Sequence, residues 1–313
     1  KDDTTYDTFE QVAAAFDAQA LDLDYSNRDT DPSYDEASAT RISLSGTSAT
    51  VEGEGAQANG SSITISAEGT YVVSGELTDG QLLVEAPEDA KVQIVLDGAT
   101  LHNETGPALY VKQADKCFVT LADGSTNELT DGTEYVLEDD SDEPSAALFA
   151  RADLTLNGAG SLKVQGAYDN GIYTKDDLVI TSGTYEVAAV GDALRGRDCV
   201  KIADGTFDLV AGGDGIKSNK DTKPTQGFVS IDGGEITIDA EDDGIQGKTY
   251  VRIAGGQLTI NSADDAIHSD LEGVVSGGEM TIDAGDDAFH AETKLVIDEG
   301  EVDIVNCVEG YEA

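Results

Sequence analysis

Apolar residues in the second half of the chain fall into columns rather than runs. Ile172, Leu194, Ile216, Ile245, Ile267 and Phe289 are separated by steps of 22, 22, 29, 22 and 22 residues. The same steps generate Ile180, Ile202, Ile231, Ile253, Val275 and Ile297, and again Val187, Leu209, Ile238, Ile260, Ile282 and Ile304. A glycine column runs from Gly183 to Gly300, and the single step of 29 marks a seven-residue insertion after Ile216. Within each copy apolar and polar residues alternate, as in Val251-Arg252-Ile253 and Leu258-Thr259-Ile260. A period of two sends successive side chains to opposite faces, so each copy holds two or three short strands joined by glycine-rich turns. A unit of this length cannot bury its own apolar face, but copies stacked in parallel bury one another and pair their backbones. The expected fold is all-β, a right-handed parallel β-helix (solenoid) with coils of roughly 22 residues, its hand following the preference of parallel crossovers.

The first half is less regular. Strands are expected at residues 63–65, 71–74, 82–85, 92–96, 108–111 and 118–121, and a further coil at Leu148 and 154–156 behind an acidic loop at 138–143. Residues 1–40 read as a lead segment. Asp7 with Glu10 has the spacing of a capping box, and Phe9, Ala13, Phe16 and Ala20 share one helical face. A short helix is therefore expected to cover the open N-terminal end of a solenoid spanning 41–313. Cys307 to Tyr311 opens a further copy, so the native chain is expected to continue.

Two residues before the isoleucine column stands an acidic one: Asn170, Asp192, Asp214, Asp243, Asp265, Asp287 and Glu309. A second acid precedes it at Asp242, Asp264 and Asp286. Equivalent positions in stacked strands lie about 4.8 Å apart. Two carboxylates at that separation repel by roughly 3.5 kcal/mol at an effective dielectric of about 20, and by about 1 kcal/mol in water. A ladder of them calls for cations between the rungs, and calcium, with oxygen ligands at about 2.4 Å, fits. The alternative is that each Asp caps its own turn through backbone N–H groups. That accounts for one Asp per copy but not for the doubling.

The residue after the isoleucine column faces outward beside this ladder and reads Tyr173, Arg195, Lys217, Gln246, His268, His290. It is either an ordinary solvated face or a ligand groove. The insertion favours a groove, because Lys217, Lys220 and Lys223 bring three of the 18 basic residues close to an acidic face.

Composition narrows the partners. With 63 acidic residues against 18 basic ones the formal charge is −45, which repels nucleic acid and disfavours an anionic membrane surface. No apolar run reaches the length of a membrane span. Cys117, Cys199 and Cys307 are too few and too scattered for a disulfide framework or a zinc site, and no histidine-rich set competes for a softer metal. Trp is absent, so a neutral glucan would depend on Tyr168, Tyr173 and Tyr250 as platforms.

The strings GDGIKSNKD, DDGIQGK, DDAIHSD, GDDAFHAE and VEGYEA, with RDTDPSYDEASAT and GPALYVKQADKCFVTLADGSTNELTDG upstream, resemble the bacterial acidic, calcium-binding carbohydrate-binding β-helix family over about residues 25–313. That resemblance implies an extracellular or cell-surface protein that binds plant cell-wall polysaccharide, pectin or cellulose, with calcium. It also implies a fold similar to family 9 polysaccharide lyases, with Asp ligands among Asp192, Asp214, Asp243, Asp265 and Asp287, and Lys217 as the candidate base. Calcium-dependent, non-catalytic polysaccharide binding is the leading expectation. The metal set is then Asp192, Asp214, Asp242, Asp243, Asp264, Asp265, Asp286, Asp287 and Glu309, and the ligand set Tyr173, Arg195, Lys217, Lys220, Gln246, His268 and His290. A calcium-dependent pectate-type lyase is the enzyme alternative, although a lysine among carboxylates holds its proton too tightly for a good base. A structural adhesin without a sugar site is the third. The oligomeric state is left open by the sequence.

Overall fold

The computed structural model describes residues 4–137 and 141–313, so part of the expected acidic loop, residues 138–140, lies outside the described residues. Almost every regular element is a β-strand, gathered into an 18-stranded and an 11-stranded sheet. The columns set the register of both sheets. Ile172 lies opposite Leu194, Leu194 opposite Ile216, Ile245 opposite Ile267 and Ile267 opposite Phe289, all in parallel pairs. Their side chains and those of the other two columns fill a core in which Ile180, Ile202, Ile231 and Ile253 are fully buried. The glycine column marks the corners. Gly256 has φ +99°, and a Cβ there would lie 2.9 Å from the carbonyl oxygen of Gly234 on the neighbouring rung, so both backbone and space require glycine.

The expectation of an open right-handed parallel β-helix is corrected by the hydrogen bonding. Strands Lys116–Leu121, Asp153–Gly158, Asp177–Ile180, Cys199–Ile202, Phe228–Ile231 and Tyr250–Ile253 form one parallel ladder. Strands Thr126–Asp131, Ser161–Gly166, Thr184–Ala189, Thr206–Ala211, Glu235–Ala240 and Gln257–Ser262 form a second. Two long strands, Lys91–Asn103 and Glu272–Ala284, each of 13 residues, pair with both ladders. They close the two ladders into a 14-strand parallel β-barrel, and the 11-stranded sheet stands as a second sheet. The physical reason lies at Gly98 and Gly278, whose positive φ bends these strands without ending them, so pairing continues where a turn was expected. The first coils differ too. Thr40–Gly46 with Ser48–Glu52, and Ala56–Asn59 with Ser62–Ile65, are antiparallel hairpins.

The lead segment does form a helix, Phe9–Ala15, but Thr8 is its N-cap, with Oγ1 accepting from the Gln11 N–H. The capping box proper is at Ser26 and Asp29, on the short helix Asn27–Thr30. Nor does the segment cover an end of the structure. It runs as a strap along the outside of the first ladder, toward lower residue numbers. Phe16 packs on Tyr250 at 6.1 Å, and Leu21 buries against Cys199 and Phe228. Further along, Tyr25 Oη donates to Asp232 Oδ2 at 2.8 Å, and Asp29 Oδ1 accepts from Thr155 Oγ1 at 2.6 Å and pairs with Lys116 Nζ at 2.7 Å. The strap explains why Cys199–Ile202 and Phe228–Ile231 are buried at every position, where a one-sided strand would alternate. All three cysteines are free thiols, as expected from their scatter.

Candidate functional site

The acid column lies where each loop enters a three-residue strand of the second sheet: Leu194–Gly196, Ile216–Ser218, Ile245–Gly247, Ile267–Ser269 and Phe289–Ala291. Asp192, Asp214, Asp243, Asp265 and Asp287 are all buried, Asp214 completely. Each uses Oδ1 to accept the backbone N–H of its successor. The contacts are 2.9 Å from Asp192 to Asp214, 3.0 Å to Asp243, 3.0 Å to Asp265, 2.9 Å to Asp287 and 3.1 Å to Glu309, with Asn170 starting the series at 3.0 Å. The caps therefore reach across rungs rather than round their own turns. This satisfies a buried donor per rung that sheet pairing leaves free.

At Asp192, Asp214, Asp243 and Asp265 the second oxygen, Oδ2, turns to the outward column, so these acids form one site with Arg195, Lys217, Gln246, His268 and His290. Arg195 Nη1 lies 3.3 Å from Asp192 Oδ2, with its guanidinium 4.6 Å above the Tyr173 ring. Lys217 Nζ is hydrogen-bonded to Asp214 Oδ2 and lies 4.0 Å from Asp192. Gln246 donates to Asp243 Oδ2 at 3.1 Å. His268 Nδ1 and His290 Nδ1 both meet Asp265 Oδ2, at 2.9 and 3.0 Å, and His268 Nδ1 is 3.5 Å from Asp243.

The proton affinities follow from these neighbours. Burial works against the charge on Lys217, but the carboxylates of Asp192 and Asp214 outweigh it and raise its pKa. Burial also opposes the charge on His268, yet its bonds with Asp265 and Asp270 and the charge of Asp243 hold it up at about 10. Asp243 is pushed up to about 7, first by burial, with Asp214 and Asp265 adding to the shift and His268 opposing it.

The doubled acids Asp242, Asp264 and Asp286 are exposed beside the buried ones. Carboxylate oxygens of Asp242, Asp243 and Asp264 lie within 4.8 Å of one another, as do those of Asp264, Asp265 and Asp286. Glu309 meets the column through its backbone. Lys220 is not brought to the site; it pairs with Asp198 at 3.4 Å. The insertion that carries it is clasped by the strap, where the Tyr6 N–H bonds the Thr222 carbonyl at 2.9 Å. Tyr173 is buried with Tyr110 and Phe149, and Tyr250 lies under Phe16, so neither offers an open platform. Tyr168 stacks on Tyr135 at 4.0 Å and lines a cleft of about 450 Å³ with Asp142, Glu143, Ser145, Asp169, Tyr173 and Arg195.

Sequence reasoning missed Asp169, Asp270, Glu292 and Glu312, and three of these were within reach of the same arithmetic. Asp169 occupies the doubled-acid column, whose next two members are Gly191 and Gly213. Asp270 and Glu292 end a column that begins Lys175, Arg197, Asn219, Lys248. Glu312 joins Asp287 and His290 in a further group within 4.8 Å.

An all-β scaffold with an acidic, partly neutralised column on one sheet matches a known class. The family model described as carbohydrate-binding domain-containing protein matches residues 59–310, and the chain belongs to that family. A carbohydrate-binding domain-containing protein of Acetivibrio thermocellus is 40% identical over 128 residues, which are 41% of this chain and 45% of the relative. The chain thus matches less than half of that relative's length. A solved structure described as the polysaccharide lyase-like protein from C. thermocellum, gadolinium derivative, is 31% identical with a TM-score of 0.70, covering 84% of this chain and 99% of its own.

Proposed function

We propose that this chain binds an acidic polysaccharide of the polygalacturonate type without cleaving it, through calcium held on the rungs from Asp242 to Asp286. The observation that carries the reading is the pair of three-carboxylate groups, Asp242–Asp243–Asp264 and Asp264–Asp265–Asp286. Their donors are all hard oxygens, the set that suits calcium rather than a soft metal. The buried members, Asp243 and Asp265, keep Oδ1 on backbone N–H groups, so the exposed carboxylates remain for the ion. A chain of charge −45 repels a polyuronate unless a cation stands between the two. Family membership supports a carbohydrate partner, and the neighbour's gadolinium derivative supports a surface that accepts hard cations.

Asp192 and Asp214 are left out of this metal set because Arg195 and Lys217 already neutralise them. Lys217 has no free lone pair with which to abstract a proton, since two carboxylates hold it charged. The lyase alternative loses its base by that argument. Binding at the calcium-rich cell exterior, to plant cell-wall material, is the setting we propose.

The test is sedimentation with insoluble pectate and with cellulose, in calcium and in chelator, with absorbance of the supernatant for unsaturated uronides. Retention on pectate in calcium alone, without product, is the expected result. Product would make the protein a lyase, retention on cellulose in both buffers would assign a neutral glucan, and no retention would leave a structural adhesin.

A further inference from the structure

Two of the three histidines in the chain face the same carboxylate, and their outer nitrogens face two more. His268 Nδ1 and His290 Nδ1 lie 2.9 and 3.0 Å from Asp265 Oδ2, their rings 4.7 Å apart and tilted by 36°. On the far side of each ring, His268 Nε2 is 3.5 Å from Asp270 Oδ1 and His290 Nε2 is 3.5 Å from Glu292 Oε1. We propose that Asp265, His268 and His290 form a site for a borderline divalent transition metal of the zinc class, sharing Asp265 with one of the two hard-cation groups beside it.

Three observations carry this. The three ligand atoms converge within 4.8 Å of one another. For metal–ligand bonds of about 2.1 Å, neighbouring ligands stand about 3.0 Å apart in six-coordinate geometry and about 3.4 Å in four-coordinate geometry. The contacts to Asp265 already match the first and approach the second with a small outward shift. Next, a metal-bound imidazole is typically held by a carboxylate on its other nitrogen, which fixes the tautomer and strengthens the donor. Each ring has a carboxylate 3.5 Å from that nitrogen, within reach of such a bond after a small shift. Finally, Asp265 keeps its Oδ1 on the Asp287 N–H, so Oδ2 alone points between the rings and the carboxylate is fixed in place. Metal binding at Nδ1 displaces the proton that Asp265, Asp270 and Asp243 hold on His268. Both histidine side chains are about one-fifth exposed, at 21% and 20%, which leaves coordination positions open toward solvent for water or a sugar hydroxyl. The site differs from the calcium reading in its two ring nitrogens and overlaps it only at Asp265; the group Asp242–Asp243–Asp264 contains none of the three proposed ligands.

The test is titration of the full chain with zinc, and with cobalt as a visible probe, in millimolar calcium throughout. We expect one zinc per chain, cobalt bands shifted by imidazole ligation, and a loss of affinity of at least about tenfold in His268→Gln and in His290→Gln. Asp270→Asn weakens zinc by about 10- to 100-fold as the outer support of His268. Gln keeps a hydrogen-bond donor beside Asp265, and a cooperative melt of each variant in metal-free buffer verifies that it folds. No zinc uptake by the wild type, undiminished affinity in the double histidine variant, or displacement of zinc by calcium would overturn the site. Pectate retention that survives in the histidine variants keeps the two readings separate.

Discussion

At the rungs of Asp192 and Asp214 the second acid position holds Gly191 and Gly213, and Arg195 and Lys217 neutralise the column from outside. At the rungs of Asp243, Asp265 and Asp287 the same position holds Asp242, Asp264 and Asp286, and the outside column offers Gln246, His268 and His290. The backbone task is identical in both regions, one Oδ1 per rung accepting the next N–H. What differs is who answers the charge on Oδ2. The first region carries its own cations, whereas the second leaves the charge to protons or to ions from solution. A conserved structural role and a variable electrostatic one thus occupy the two oxygens of a single carboxylate.

The largest effect should come from breaking the built-in compensation. Lys217→Met strands Asp214, fully buried, beside Asp192. Removing one partner of a buried pair costs about 3 kcal/mol. Gln246→Ala, which deletes a neutral donor to Asp243, costs about 1 kcal/mol. Urea denaturation of both variants measures the difference, and equal losses would dissolve the distinction between the regions.

Calcium should sharpen the comparison from the other side. An ion that binds only the folded chain stabilises it by about 1.4 kcal/mol at ten times its Kd and about 2.7 kcal/mol at a hundred times. The melting temperature of the wild type should rise with calcium. Asp264→Asn, which removes the member common to both three-carboxylate groups, should lose that rise. Asp192→Asn should keep it, because an amide at that position preserves the cross-rung acceptor, as Asn170 already does. A calcium response that vanishes in Asp192→Asn instead would move the ion to the first region.

The columns made the register of the second sheet legible to the residue, because a fixed step can arise only from stacked equivalents. Ile172 opposite Leu194 needed no structure to find. Closure of the two ladders into a barrel was not legible, since Gly98 and Gly278 look like every other corner glycine, and only pairing partners tell a bend from a break. The strap was hidden for a related reason. Phe16 and Leu21 are ordinary apolar residues, and their counterparts Cys199, Phe228 and Tyr250 signal a second buried face only once burial at every strand position is recognised. In the site, the outward column was read correctly as neighbouring the acids, but its pairing with Oδ2 was not. Lys220 shows the limit of that reading. Its place in the insertion suggested the groove, yet backbone bonds from Lys220 to Arg197 and from Gly227 to Asp198 turn the insertion toward the strap.

That turned-away corner provides the smallest and most specific test. Asp176 is half-buried near Asp153, Asp177 and Asp198, with Lys220 as the opposing cation. Burial first, then Asp153, Asp198 and Asp177, push its pKa up to about 6, against the partial opposition of Lys220. Between its ordinary value of 3.8 and about 6 the folded chain therefore holds a proton that the unfolded chain has released. The resulting stability is fully present below the ordinary value and is lost as the pH rises through about 6. After allowance for solvent screening the loss from this group is about 1 kcal/mol. Asp176→Asn should match the wild type near pH 4 and exceed it by about that amount near pH 7, measured by urea unfolding at both. The local cation, unlike Arg195 or Lys217 on the acid column, would then be outnumbered by the acids it faces. If Asp176→Asn is instead the less stable chain near pH 7, Lys220 compensates its neighbours as fully as Lys217 does, and this corner belongs with the self-neutralised region.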